Sequence, residues 1–184
     1  ADALGADHVL AVMMPTRFTA DLSFDLAKQL VTNLRIPYVV RPIEELFKGY
    51  QALLADDFAG KVWDVTEENL QARIRGTVLM AYANKFGRLV ITTGNKSETA
   101  VGYSTLYGDT AGAFALIKDV YKTDVWALAR FVNRHWGREV IRVGIMTART
   151  LSAPNASAAT VATRALSIPP ESPITTCLKP FLCT

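Results

Sequence analysis

The segment TTGNKSETAVGYSTLYGD, residues 92–109, holds the densest set of side chains in this sequence that could bind a ligand. It follows a predicted strand and begins a predicted helix, and the backbone N–H groups at a helix start can hold an anion. Thr92, Thr93 and Ser97 add hydroxyls, and Glu98 adds a carboxylate that could bind Mg²⁺ or a ligand hydroxyl. The pattern is neither a Walker loop nor GxGxxG, so an ordinary polar turn is an equally valid interpretation.

A second candidate is TEENLQARIRG, residues 66–76, where Asn69, Arg73 and Gly76 recur about one helical turn apart. Residues at this spacing share one side of a helix. Arg73 and Arg75 could bind phosphates or a carboxylate, although Glu–Arg pairs on a solvated face are the simpler interpretation.

A third cluster lies at the start of another predicted helix and consists of Lys118, Asp119, Lys122 and Thr123. A lysine in this position can act as a point charge on a phosphate. A polar cap on the protein surface is the alternative interpretation of the same residues.

These segments need a scaffold, and the apolar pattern predicts strands at residues 8–14, 36–40, 88–93 and 140–146. Helices are predicted from Asp21, over 43 to about 56, from an N-cap at Thr66 to Phe86, from about 96 and from an N-cap at Thr123, with a loop over 102–121. Such alternation is typical of an α/β parallel sheet, whose ligands bind beyond the carboxyl ends of the strands. The candidate sites are therefore Pro15–Thr19, Thr92–Glu98 and the residues after Met146.

Composition excludes several classes of protein. The chain has 184 residues and a net charge of +3, which argues for one globular domain and against a nucleic-acid partner. No apolar run approaches the roughly 18 residues of a spanning helix. The histidines have no partner at metal-site or triad spacing, so we predict structural roles for His8 and His135. The spacing of Cys177 and Cys183 matches neither a redox pair nor a zinc knuckle, so we predict inert thiols.

Four segments in this order, ENLQARIRG, TTGNKSE, VGYSTLYGD and IKDVYKT, resemble the synthetase domain of NAD synthetase. The YSTLYGD form resembles the glutamine-dependent branch, and the resemblance covers residues 1–150. It implies an ATP-pyrophosphatase (adenine nucleotide α-hydrolase) fold, which is a Rossmann-like parallel sheet with flanking helices. It also implies a cytoplasmic homo-oligomer that uses ATP, Mg²⁺, deamido-NAD and ammonia, with no nucleic acid or membrane as partner.

The resemblance also assigns residues to this reaction. Lys122 matches a catalytic lysine that faces the ATP phosphates, and Glu98 matches an acidic residue tied to Mg²⁺ or to deamido-NAD. The other matches for ATP are Thr93, Arg17 and Ser152. The other matches for deamido-NAD are Asn69, Arg73, Tyr103, Ser104, Thr105, Leu106 and Asp109.

The sequence departs from the family pattern at both ends. The family's first strand and its SGGxDS phosphate loop, expected shortly before Ala1, are absent, as is the glutaminase domain expected upstream. Only three charged residues lie in 151–184, against 34 in 1–150, so we expect this tail to be disordered or frameshifted. We therefore expect little or no turnover. The alternatives are a non-catalytic nucleotide-binding or assembly module and another ATP-pyrophosphatase of the GMP-synthetase type, against which YSTLYGD argues.

Overall fold

A computed structural model describes residues 1–143 of the chain. The predictions for Ser152, the tail 151–184 and the two cysteines lie outside the described residues. The elements in chain order are a 3₁₀ turn at Ala6–His8, β1 (Ala11–Met13), α1 (Asp21–Leu34), β2 (Tyr38–Val40), α2 (Glu44–Leu53), α3 (Val65–Phe86), β3 (Ile91–Thr92), α4 (Lys96–Ala100), β4 (Phe114–Ala115) and α5 (Lys122–His135). Within these residues no helix has the length and apolar character to cross a bilayer.

The strands form two parallel pairs. β1 pairs with β2, with Ala11 opposite Tyr38, and β3 pairs with β4, with Ile91 opposite Phe114. Parallel neighbours need a crossover connection, which α1 provides for the first pair and the segment containing α4 provides for the second. The predicted α/β class with parallel strands and flanking helices is therefore confirmed.

Helices cover both faces of β1, whose side chains alternate between them. Ala11 and Met13 pack against Ala27 and Val31 of α1. Val12 and Met14 pack on the other face, with residues from the start of α2 and from α3, namely Ile43, Phe47, Ile74 and Leu79. The apolar run of the sequence is therefore a strand buried on both faces, as in other parallel sheets.

Several predicted boundaries were wrong. β3 has two residues rather than six, and β4 lies inside the predicted loop 102–121. β4 was not predicted, because a strand of two residues shows no periodicity. Its pairing with β3 requires Gly112, because a Cβ at this position would lie 2.5 Å from the Thr92 side chain. Residues 140–143 are not a strand.

The predicted helix caps also need correction. α3 is capped by Asp64 rather than Thr66, because the Asp64 carboxylate accepts the Thr66 N–H at 2.7 Å. α5 begins at Lys122, and its N-cap Tyr121 makes no side-chain capping bond, so Thr123 lies inside the helix.

An apolar groove of about 360 Å³ lies between the two strand pairs. Residues next to β1 (Val9, Leu10) line one side, Leu89 and Val90 line the other, and Leu79 also contributes.

We predict that the face of α2 that packs against β1 contributes more to stability than the exposed face of the same helix. Phe47 is fully buried, whereas Leu53 of the same helix is 74% exposed. Phe47→Ala should lower the free energy of unfolding by about 3–5 kcal/mol because it leaves a cavity. Leu53→Ala should change it by less than about 0.5 kcal/mol. Urea unfolding measures both, and equal losses would contradict the assigned core.

We also predict an acid-dependent contribution from the α3 cap. The Thr66 N–H bonded to Asp64 holds the pKa of that carboxyl below its ordinary value of 3.8. The stabilisation is therefore complete above about pH 4 and is lost as the pH falls through the lowered pKa. Asp64→Asn keeps a capping oxygen but does not titrate. The difference in unfolding free energy between the two proteins should therefore shrink below about pH 4; a difference that stays constant there would contradict this prediction.

Candidate functional site

One side of α3 holds the loop that follows α4. The Thr105 hydroxyl donates to Oδ1 of Asn69 at 2.7 Å, and Nε of Arg73 donates to the Leu106 carbonyl at 3.2 Å. At Gly76 a Cβ would lie 2.9 Å from the Gly108 carbonyl oxygen. The prediction that Asn69, Arg73 and Gly76 share one side is confirmed, and their common neighbour is this loop.

The loop over residues 105–110 is closed by its own hydrogen bonds. The Thr105 N–H donates to Oδ1 of Asp109 at 2.6 Å, and the Thr110 hydroxyl donates to the Thr105 carbonyl at 3.1 Å. Tyr107 has a left-handed backbone with φ of 62°. A residue with a Cβ adopts this conformation at an energetic cost, which the surrounding bonds must offset.

A cavity of about 200 Å³, lined mainly by residues with polar side chains, lies between this loop, the end of β3 and α4. Four predicted site residues line it, namely Glu98, Tyr103, Ser104 and Asp109. Thr92 and Lys118 also line it, although the family resemblance assigns neither of them to a ligand. Both belong to segments that the sequence had singled out, but their inward position depends on the short β3–β4 pairing, which the pattern did not predict.

Glu98 and Lys122 form a buried ion pair beside the cavity. Their exposures are 2% and 4%, and Nζ of Lys122 lies 3.7 Å from Oε1 of Glu98. Oε2 of Glu98 also accepts the N–H of Asn95 at 3.2 Å, while Asn95 Oδ1 accepts the N–H of Glu98 at 3.0 Å. This reciprocal cap fixes the carboxylate at the start of α4. The pair places the Lys122 ammonium near the cavity, and the Glu98 carboxylate offsets its charge.

Two buried polar residues on another side of α3 hold the end of β1. Gln71 accepts the Thr16 hydroxyl at 3.2 Å, and Nε of Arg75 donates to the Met14 carbonyl at 3.3 Å. The sequence suggests Arg75 as a phosphate binder, but its side chain is directed inward to the strand end. Helical periodicity did not predict that Gln71 and Arg75 are buried, because polar side chains normally indicate a solvent-exposed face.

Arg17 lies apart from the cavity. It contacts α2, where its Nε is 3.4 Å from Oε1 of Glu44 and its guanidinium donates to Gln51 at 3.4 Å. Thr93 is buried at the end of β3. The structure thus brings together the residues of 92–122, joins Asn69 and Arg73 to them through the loop, and places Arg17 at the end of β1.

The described residues do not themselves form a metal centre. No group of three or more His, Cys, Asp or Glu side chains in residues 1–143 is arranged to hold a metal ion. Glu98 brings one carboxylate whose Oε1 faces an ammonium and whose Oε2 already accepts an amide N–H.

Comparison with known proteins adds the deciding observation. A family model described as NAD synthase matches residues 1–146 of the 184. The chain belongs to the NAD synthase family. The glutamine-dependent NAD(+) synthetase of Thermotoga maritima is 54% identical over 140 residues, and that of Xylella fastidiosa (strain Temecula1) is 55% identical over 133 residues. These matches cover 76% and 72% of this chain but 24% of each relative, so the chain spans about a quarter of their length.

Solved structures agree with this family. A glutamine-dependent NAD+ synthetase from Acinetobacter baumannii in complex with ADP has a TM-score of 0.74 and 40% identity, over 89% of this chain and 30% of that one. An NH3-dependent NAD synthetase from Campylobacter jejuni has a TM-score of 0.62 and 33% identity, over 71% of this chain and 55% of that one.

We predict that the contact between α3 and the loop allows no added volume. Gly76→Ala should displace the loop and lower the unfolding free energy by about 1–3 kcal/mol, since the new methyl meets backbone oxygen. Gly49→Ala in α2 is the matched control, because no atom lies within 4 Å of its added Cβ. It should stabilise the chain by about 0.5–1 kcal/mol through helix propensity. Thermal unfolding compares them, and two shifts of the same sign would refute the close packing.

Proposed function

We propose that this chain forms the core of the synthetase centre of a glutamine-dependent NAD synthetase. In this proposal the protein converts the nicotinate carboxylate of deamido-NAD to the amide of NAD at the expense of ATP. The observation that carries the proposal is the cavity lined by Glu98, whose carboxylate pairs with Lys122, in a chain of the NAD synthase family.

The reaction needs activation because a carboxylate is a poor electrophile. A carboxylate oxygen of deamido-NAD attacks the α-phosphate of ATP, which forms an acyl adenylate and releases pyrophosphate. Ammonia then attacks the carbonyl carbon, AMP leaves with the bonding electron pair, and the nitrogen loses a proton to give the amide. Negative charge develops on the departing pyrophosphate, and a fixed cation stabilises it.

Lys122 is the proposed cation of this step. Its ammonium is held in the interior by Glu98, so it requires little reorganisation when an anion arrives. We propose Thr93 and Arg17 as further ATP contacts, together with Ser152. Arg17 would serve a part of ATP far from the cavity, since its contacts are with α2.

The cavity is proposed to bind deamido-NAD. Tyr103, Ser104, Asp109 and Glu98 line it directly. Asn69 and Arg73 support this role by holding Thr105 and Leu106 in place, so they would act on the substrate through the loop as well as by contact.

Magnesium fits this proposal only as an ion held mainly by substrate phosphates. Mg²⁺ is often bound through one or two carboxylates and phosphate oxygens rather than by a full set of protein ligands. Glu98 supplies one such carboxylate, and it is shared with Lys122. The assignment of Glu98 as a metal ligand stays a prediction, and no step above depends on it.

The proposal includes partners beyond the described residues. The relatives are named glutamine-dependent and are about four times as long as the match, which supports a glutaminase domain as the ammonia source in the whole protein. A cytoplasmic location and a homo-oligomer belong to the same proposal.

The test measures binding and turnover separately on the 184-residue chain. Calorimetry with ATP and with deamido-NAD should show binding of both, and Lys122→Met should weaken ATP binding about tenfold or more by removing a charge-assisted bond. Lys28→Met on α1 is the control. NAD formation from ammonia should be far below that of a full-length relative.

Absence of binding of both nucleotides would refute the proposal. Binding without any turnover, unaffected by Lys122→Met, would favour the non-catalytic module instead. Turnover within about tenfold of a full-length relative would refute the expected low activity.

A further inference from the structure

Helix α4 is joined to the start of α5 by successive residues. The Lys96 N–H donates to the Val120 carbonyl at 2.9 Å, and the Lys122 N–H donates to Oγ of Ser97 at 3.0 Å. Glu98 then pairs with the ammonium of the same lysine at 3.7 Å. Both the backbone and the side chain of Lys122 are therefore held by α4.

The position of Lys122 is unfavourable for an ordinary lysine. It is the first residue of α5, where the helix dipole disfavours positive charge, and it is almost fully buried. The N-cap Tyr121 makes no side-chain capping bond, so the first N–H of the helix needs an acceptor from elsewhere. Ser97, 25 residues earlier in the chain, provides it.

We infer that Ser97 is a positioning residue for ATP binding, which caps α5 from outside the helix and thereby fixes the ammonium of Lys122. The inference rests on the proposed function. If the backbone of Lys122 moves, the side chain either changes rotamer to keep its pairing with Glu98 or loses that pairing, and in both cases the ammonium is held less firmly where a phosphate would meet it. Ser97 thus acts on the ligand through Lys122, without touching it.

The serine hydroxyl is the group that matters for this role. Ser97→Thr keeps the hydroxyl, whereas Ser97→Ala removes it and Ser97→Cys replaces it with a weak acceptor of similar size. Thr32→Ala is the matched control, because it removes a hydroxyl that bonds the Lys28 carbonyl at 2.8 Å on α1.

The experiment combines ATP calorimetry with amide hydrogen exchange at Lys122. Ser97→Ala and Ser97→Cys should each weaken ATP binding by roughly three- to tenfold, the effect of losing one helix cap. They should also speed exchange of the Lys122 amide, since its acceptor is gone. Ser97→Thr should restore both properties, and Thr32→Ala should leave both unchanged.

The outcomes separate this inference from the proposed function. Faster exchange with unchanged ATP affinity would reduce Ser97 to a structural cap and overturn the inference. Unchanged exchange would overturn it as well, because the hydrogen bond would then have no effect on Lys122. Failure of the unsubstituted chain to bind ATP would refute the proposed function, and this inference with it.

Discussion

Helix α3 carries polar side chains into the interior, and the hydrogen bonds that they require determine the positions of the surrounding segments. Gln71 and Arg75 are buried, so their polar groups need hydrogen-bond partners. Each buried group left without one would cost about 1–3 kcal/mol of stability. They bond the carboxyl end of β1, while Asn69 and Arg73 bond the loop after α4. A rotation of α3 would break both sets at once, so its orientation is fixed by chemistry as well as by packing.

The electrostatic design of the site follows from this fixed frame. Two charges of opposite sign are buried as a pair, and such a pair gives weak net stabilisation because desolvation offsets the attraction. Its value lies in geometry: the cap at Asn95 fixes Glu98, and Glu98 fixes the ammonium of Lys122. The cavity beside the pair therefore has a fixed cation nearby without a large field that would attract anions indiscriminately.

The sequence predicted the features that depend on local pattern. The apolar run around β1, the start of α1 at Asp21 and the end of α3 before Gly87 were all confirmed, because periodicity and capping act over a few residues. The inward position of Arg75, the two-residue β4 and the bond between Asn69 and Thr105 were not predictable. They depend on contacts between distant segments, which no local pattern encodes. The family motifs indicated which segments matter, and the structure added how they hold one another.

Helix α4 has five residues, far below the length at which an isolated helix is stable in water. Its order must therefore come from its neighbours: Lys96 bonds to Val120 just before α5, and Ser97 and Glu98 bond to Lys122 at the start of α5. In dynamic terms, α4 and the first turn of α5 form one cooperative unit. We therefore expect Glu98 in the wall of the cavity and the ammonium of Lys122 to move together when this unit opens.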